Sequence, residues 1–149
     1  MLTGVASAQR RGFTLVELMV VIAIGALLAT LGYPMLADVV RRVHRVDALA
    51  AIAHAQMLQQ RHRSVSSRFA TLEQLGIGAS VGGGRYRLEA SEPSATGYVL
   101  TASAQGAQVA DAACRVLRVE VSGADVRRSS GPDAQTTNEA PQNGRCWGT

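Results

Sequence analysis

RRGFTLVELMVVIAIGALLATLGYP, residues 10–34, contains the boundary on which the fold turns. Residues 1–9 are small or polar for the most part, whereas from Phe13 to Ala37 the residues are apolar or small, with Glu17 the one charge. Leu18 to Ala37 is a run of 20 residues without a charge. At 1.5 Å per residue it makes about 30 Å of helix, the thickness of a bilayer's hydrocarbon layer. The run predicts a membrane-crossing helix. A secretory signal peptide would set its apolar stretch ahead of a small-residue cleavage site, but here the basic residues and Gly12 come before the run. Glu17 costs about 3 kcal/mol inside such a helix, which marks it as a functional residue whose charge needs a partner.

The whole chain has 149 residues, 47% hydrophobic but 4% aromatic, so its core must be built from Ala, Val, Leu and Ile. Charged residues are 17%, and their basic share is all arginine. The formal charge of +4 falls to +2 once Arg10 and Arg11 are set aside, too little to imply nucleic-acid binding by itself. His44, His54 and His62 are ten and eight residues apart, not the three or four that place two metal ligands on one helical turn. They read as surface histidines, and no metal or cofactor is expected.

Beyond Pro34, Val39, Val43, Val46, Ala50, Ala53 and Met57 recur at helical spacing. This stripe predicts a helix from about Thr14 to Arg63, roughly 75 Å long, with the stripe facing a sheet. Asp38 stands four residues before Arg42, the favourable order for a helix ion pair. Arg41, Arg42, His44 and Arg45 read as a solvated or subunit-packing face, with lipid headgroups or DNA phosphates as the alternative. SerValSerSer at 64–67 ends the helix, and Thr71 with Gln74 forms a capping-box signal for a short turn closed by Gly76. GlyGlyGly at 82–84 lacks the lysine of a phosphate-binding loop and reads as a turn. Tyr86, Leu88 and Ala90 alternate with Arg85, Arg87 and Glu89, and Tyr98, Leu100 and Ala102 with their neighbours, which predicts an antiparallel hairpin. A third strand is expected near 115–121 and a short fourth after Gly123. Ser129 to Gly144 has no period and reads as a surface loop.

The stretch at residues 10–34 resembles the N-terminus of type IV prepilins and pseudopilins, with Gly12, Phe13 and Glu17 in register ahead of the apolar helix and Pro34. The resemblance implies a leader at 1–12, cleavage by a prepilin peptidase between Gly12 and Phe13, N-methylation of Phe13, and a membrane and filament-core helix at 13–37. A periplasmic head would follow at 38–149. It also implies that Glu17 meets the amine of a neighbouring Phe13 during assembly. The family's helix glycine would fall at Ala26; here Gly25 takes that role. Gly25, Gly32 and Pro34 then mark a helix break, with a simple kink as the alternative. The expected fold is α+β, a long N-terminal helix on a small antiparallel sheet with a disulfide-closed C-terminal loop. Cys114 and Cys146 permit one disulfide, worth roughly 3–4 kcal/mol in the chain-entropy model; free structural cysteines are the alternative.

Further residues are similar to the PilE-type minor pilins: YPMLADVVRRVHRVDALAAI from Tyr33, SerArgPheAlaThrLeu at 67–72, GlyTyrValLeuThrAla at 97–102, AspAlaAlaCys from Asp111 and CysTrp at 146–147. The resemblance implies a structural filament subunit supporting pilus assembly, twitching motility, adhesion or DNA uptake. Its partners would be other pilins, the prepilin peptidase, the assembly platform and the inner membrane, and its final location the cell-surface pilus. A DNA receptor is the alternative, with Arg85, Arg87, Arg127 and Arg128 as candidate contacts and Arg115 and Arg118 as further basic positions. A type II secretion pseudopilin is a third reading. An anchored enzyme is disfavoured, because Ser66, His62 and Asp111 stand without a nucleophile elbow.

Overall fold

A computed structural model describes residues 12–148, without the side chains of residues 31–35. The leader expected at 1–12 lies outside the described residues apart from Gly12. The chain packs as two units, one ending at Ala37 and one beginning at Asp38.

The first helix, α1, spans Leu15–Arg63. Thr14 caps its start by accepting the Glu17 amide N–H through Oγ1 at 3.2 Å, and Arg61 and Arg63 place positive charge in its last turn, as the helix dipole favours. In the first unit, Phe13, Leu15, Val16, Met19 and Ile22 are all exposed. Among the described residues no helix is long and apolar enough to cross a membrane; the uncharged run passes through residues 31–35. α1 continues without a gap past Gly25, Gly32 and Pro34, where the sequence predicts a break. Proline removes one amide donor, and in this isolated chain the residues on both sides of it remain helical.

The second unit holds a five-stranded antiparallel sheet in chain order, β1 (Ser80–Val81), β2 (Tyr86–Ser91), β3 (Gly97–Ala104), β4 (Val116–Ser122) and β5 (Asp125–Gly131). Register places Leu88 beside Ala102, Ala102 beside Leu117, and Leu100 beside Val119. Those side chains, with Tyr86 and Tyr98, form one buried face. Phe69 meets Tyr98 edge to face, with ring centres 4.6 Å apart. Gly82, Gly83 and Gly84 make the β1–β2 turn with φ of 61°, 66° and 84°, a conformation that glycine adopts without a Cβ penalty. Thr71 and Gln74 cap each other's amides at 2.9 and 3.3 Å, as the capping-box signal predicts.

The face of α1 that meets the sheet differs from the expected stripe. Val39, Val43, Val46 and Met57 are 52–62% exposed, while Arg45, Ala48, Ile52, Ala55 and Gln59 are buried. Both sets follow the helical repeat. Alanines at 48 and 55 let the sheet come close, and the two polar members have partners. The Gln59 side chain pairs with Ala70 as a strand neighbour would, donating to its carbonyl at 2.6 Å and accepting from its amide at 2.9 Å.

The stretch expected as a loop from Ser129 to Gly144 is also ordered differently. Ser129 to Gly131 completes β5, and a helix, α2, spans Ala140–Trp147. Eight residues that include Pro141 and Gly144 are too short and too poor in helix formers to hold this shape alone. Tertiary bonds hold it: Asn143 donates to the Arg128 carbonyl at 3.0 Å, Trp147 Nε1 donates to the Ser129 carbonyl at 3.3 Å, and Cys146 is bonded to Cys114. The disulfide therefore closes over a strand pair and a helix rather than a bare loop.

Burial pushes the phenols of Tyr86 and Tyr98 up from their ordinary value. A raised folded pKa means stability that is complete below about pH 10, the unfolded value, and is lost as pH rises through the folded value. We expect alkaline unfolding above that point. The Tyr86→Phe, Tyr98→Phe double variant should flatten the decline in a denaturant series at rising pH; an unchanged slope would exclude these phenols as its source.

Candidate functional site

At one end of the head, five elements meet at a buried ion pair. Asp111, between the 3-10 turns Gly106–Ala110 and Ala112–Cys114, accepts from Arg45 of α1 at 2.7–2.9 Å through both carboxylate oxygens. Arg45 also donates to the Arg145 carbonyl of α2 at 3.0 Å. Gln108 donates to the Tyr86 hydroxyl at 2.9 Å and the Arg41 carbonyl at 3.0 Å, which ties in β2. The fork of a guanidinium matches a carboxylate in this geometry. Charge spacing along the chain does not mark this cluster; the one local signal is that Arg45 continues the helical series of Ala48, Ile52 and Ala55.

The same cluster bears on the enzyme alternative. Asp111 is engaged by Arg45, and His62 stands 17 residues further along α1, about 25 Å at the helical rise. His62 instead contacts the Arg68 carbonyl at 3.3 Å and Ser66 Oγ at 3.4 Å. The ion pair expected between Asp38 and Arg42 forms with Arg41, since positions three and four apart are both neighbours on a helix. Arg42 is left exposed.

The four candidate DNA contacts are not brought together. Arg85 precedes β2 and donates to Asp47 of α1 at 2.8 Å, so its charge is locally balanced. Arg87 lies on the outward sheet face, where strand alternation also puts Arg118 and Arg127 together with Glu89, Glu120 and Asp125. Glu120 stands directly across from Arg127. Three arginines against three acids leave that face neutral. Arg128, next to Arg127 in β5, points to the opposite face because strand side chains alternate, and its guanidinium lies 5.8 Å from the centre of the Trp147 ring. Arg115 donates to the Val109 carbonyl at 2.7 Å.

A different basic group is concentrated at the C-terminal end of α1. Arg61, Arg63 and Arg68 are exposed, and residues 48–72 contain no aspartate or glutamate. Arg63 donates to the Ser66 carbonyl at 3.1 Å and lies over the Phe69 ring, and Arg68 donates to the Pro93 carbonyl at 2.9 Å. These bonds position the side chains without neutralising them. None of the three has an ion pair among the described residues.

In the first unit, Gly12 and Phe13 precede α1 and Glu17 lies exposed in its first turn. The prokaryotic N-terminal methylation motif matches residues 7–33. A family model described as type IV minor pilin ComP, DNA uptake sequence receptor, matches residues 34–118. No curated protein matches the chain. Since that family model covers more than half of its length, the chain belongs to the type IV minor pilins.

Proposed function

We propose that this minor pilin is cut between Gly12 and Phe13 and N-methylated on Phe13. Residues 13–37 then hold it in the inner membrane with its head in the periplasm, and the pilus assembly platform builds it among other pilins into a surface filament. There it contacts DNA during uptake. The observation that carries the DNA role is the exposed arginine group Arg61, Arg63 and Arg68, none of them ion-paired among the described residues, which falls inside the segment matched by the DNA-receptor family model. The four arginines expected from sequence are a weaker choice, because Arg85 is paired and Arg87 and Arg127 share a neutral face.

Phosphate contacts release counterions, so each one steepens the salt dependence of binding. The mature chain in detergent should bind duplex DNA with an affinity that falls as salt rises. Replacing Arg61, Arg63 and Arg68 by glutamine should weaken binding on every sequence and reduce the salt slope by about 1 per arginine. Binding unchanged in the triple variant, or equally weakened by Arg87→Gln and Arg127→Gln, would overturn this surface.

A purely structural role is the second reading, and the uncovered valines of α1 favour it, since Val39, Val43 and Val46 form a stripe suited to packing against other pilins. Deletion separates the two: loss of uptake with normal pili supports the receptor, and loss of pili with uptake supports assembly alone.

Glu17 gives a further test of the filament. A carboxylate among apolar helices is tolerated when paired, and the Phe13 amine of a neighbouring subunit is the partner we assign. Glu17→Ala should insert in the membrane at least as well as the parent yet be depleted from sheared pili. Normal abundance of the variant in pili would count against the pairing.

A further inference from the structure

Arg42 and Arg145 line one cleft of about 270 Å³, together with Gln142, Arg45, Asp38 and Asp111. Both acids are already committed, Asp38 to Arg41 and Asp111 to Arg45. Arg42 and Arg145 are exposed and have no ion pair among the described residues. Two positive side chains on one cleft whose acids are neutralised repel each other unless an anion lies between them. The planar five-donor fork of arginine suits the oxygens of a phosphate, and the Gln142 amide on the same wall supplies a neutral donor. Arg42 follows Ala37, the last residue of the uncharged run, by five positions. The chain alone therefore keeps it within about 18 Å of the end of that run, whatever the arrangement of the two units.

We propose that this cleft binds the phosphate of an anionic phospholipid headgroup while the subunit resides in the membrane. The proposal rests on the membrane-anchored reading above and is independent of the DNA surface at Arg61, Arg63 and Arg68. Its effect is to hold the head at the bilayer surface until assembly withdraws the subunit.

Trp147, the chain's single tryptophan, lies in α2 two residues beyond Arg145; its ring packs beside Arg128 rather than in the cleft, about 10 Å away across the helix, within range of long-range quenching by a headgroup label held at the cleft. The mature full chain is reconstituted in phosphatidylcholine nanodiscs, with and without phosphatidylglycerol, and quenching of Trp147 by headgroup-labelled lipid is measured. Quenching should appear with phosphatidylglycerol and fall about fivefold for each arginine removed in Arg42→Gln and Arg145→Gln. Arg87→Gln, on the neutral sheet face, should behave as the parent. Both replaced arginines are exposed, and unchanged Trp147 emission in phosphatidylcholine confirms that the variants fold. Equal quenching in both lipids, or quenching retained in the double variant, overturns the proposal. Inorganic phosphate should reduce the quenching by competition, since it carries the same group; inorganic phosphate bound by the chain in phosphatidylcholine discs, with no quenching in phosphatidylglycerol, assigns the cleft to the free anion and overturns the headgroup source. A chain that enters neither nanodisc overturns the anchored reading and this proposal with it, whereas a chain that enters both without contacting headgroups overturns this proposal alone.

Discussion

Asp111→Ala should destabilise the head by about 3–5 kcal/mol, because it leaves the Arg45 guanidinium buried without its counterion. The side chains of Arg45 and Asp111 are only 10% and 12% exposed, so water replaces little of what the carboxylate supplies. A domain of this size has a total stability of about 5–15 kcal/mol, and the loss would remove a large part of it. The pair joins α1 to the 3-10 turns, and Arg45 carries the connection on to α2. Local unfolding should therefore be seen first at those elements in amide exchange, ahead of β3. The Arg45→Met, Asp111→Leu double variant should recover much of the loss, since an apolar pair of similar volume avoids the desolvation cost. Urea unfolding of all three variants measures the effect. A single-variant loss below about 1 kcal/mol, the range of exposed pairs, would show that the guanidinium finds solvent.

Removing the disulfide by Cys146→Ser should cost roughly 3–4 kcal/mol, the loop-closure entropy for a separation of 32 residues. The effect should be uneven. β2, β3 and the start of β4 are held by the core of Tyr86, Leu88, Leu100 and Leu117, whereas α2 relies on the bond and on a few hydrogen bonds to β5. Exchange protection should fall over α2 and the outer part of β5 before the rest of the sheet. With α2 loose, the Arg45 bond to the Arg145 carbonyl is lost as well, so this variant and Asp111→Ala should be less than additive. Uniform destabilisation across the sheet would mean that α2 is integral to the core.

Much of the fold is legible in the order of residues. Alternation at Tyr86–Ala90 and Tyr98–Ala102 identifies the face of the sheet that forms the main core, because side chains on a strand have a period of two; Val99 and Val116, buried on the opposite face, do not follow from that alternation. The reciprocal cap of Thr71 and Gln74 and the glycine turn at 82–84 are local, so they too can be read without the fold. The prepilin-like start is legible for a different reason: Gly12, Phe13 and Glu17 in front of an uncharged run depend on spacing along one segment.

Tertiary structure decided which of two helical stripes on α1 is inside. Hydrophobicity favours Val39, Val43 and Val46, but a helix face is chosen by what it packs against, and close approach to the sheet favours Ala48 and Ala55. Arg45 and Gln59 accompany them because Asp111 and Ala70, distant or separate in the chain, supply their partners. α2 has no periodic signal since its hydrogen bonds come from β5 and its anchor from Cys114. The candidate DNA surface changed for the same reason. Strand alternation divides Arg127 from Arg128, Asp47 reaches Arg85 across the fold, and only the three-dimensional arrangement shows which charges are already neutralised.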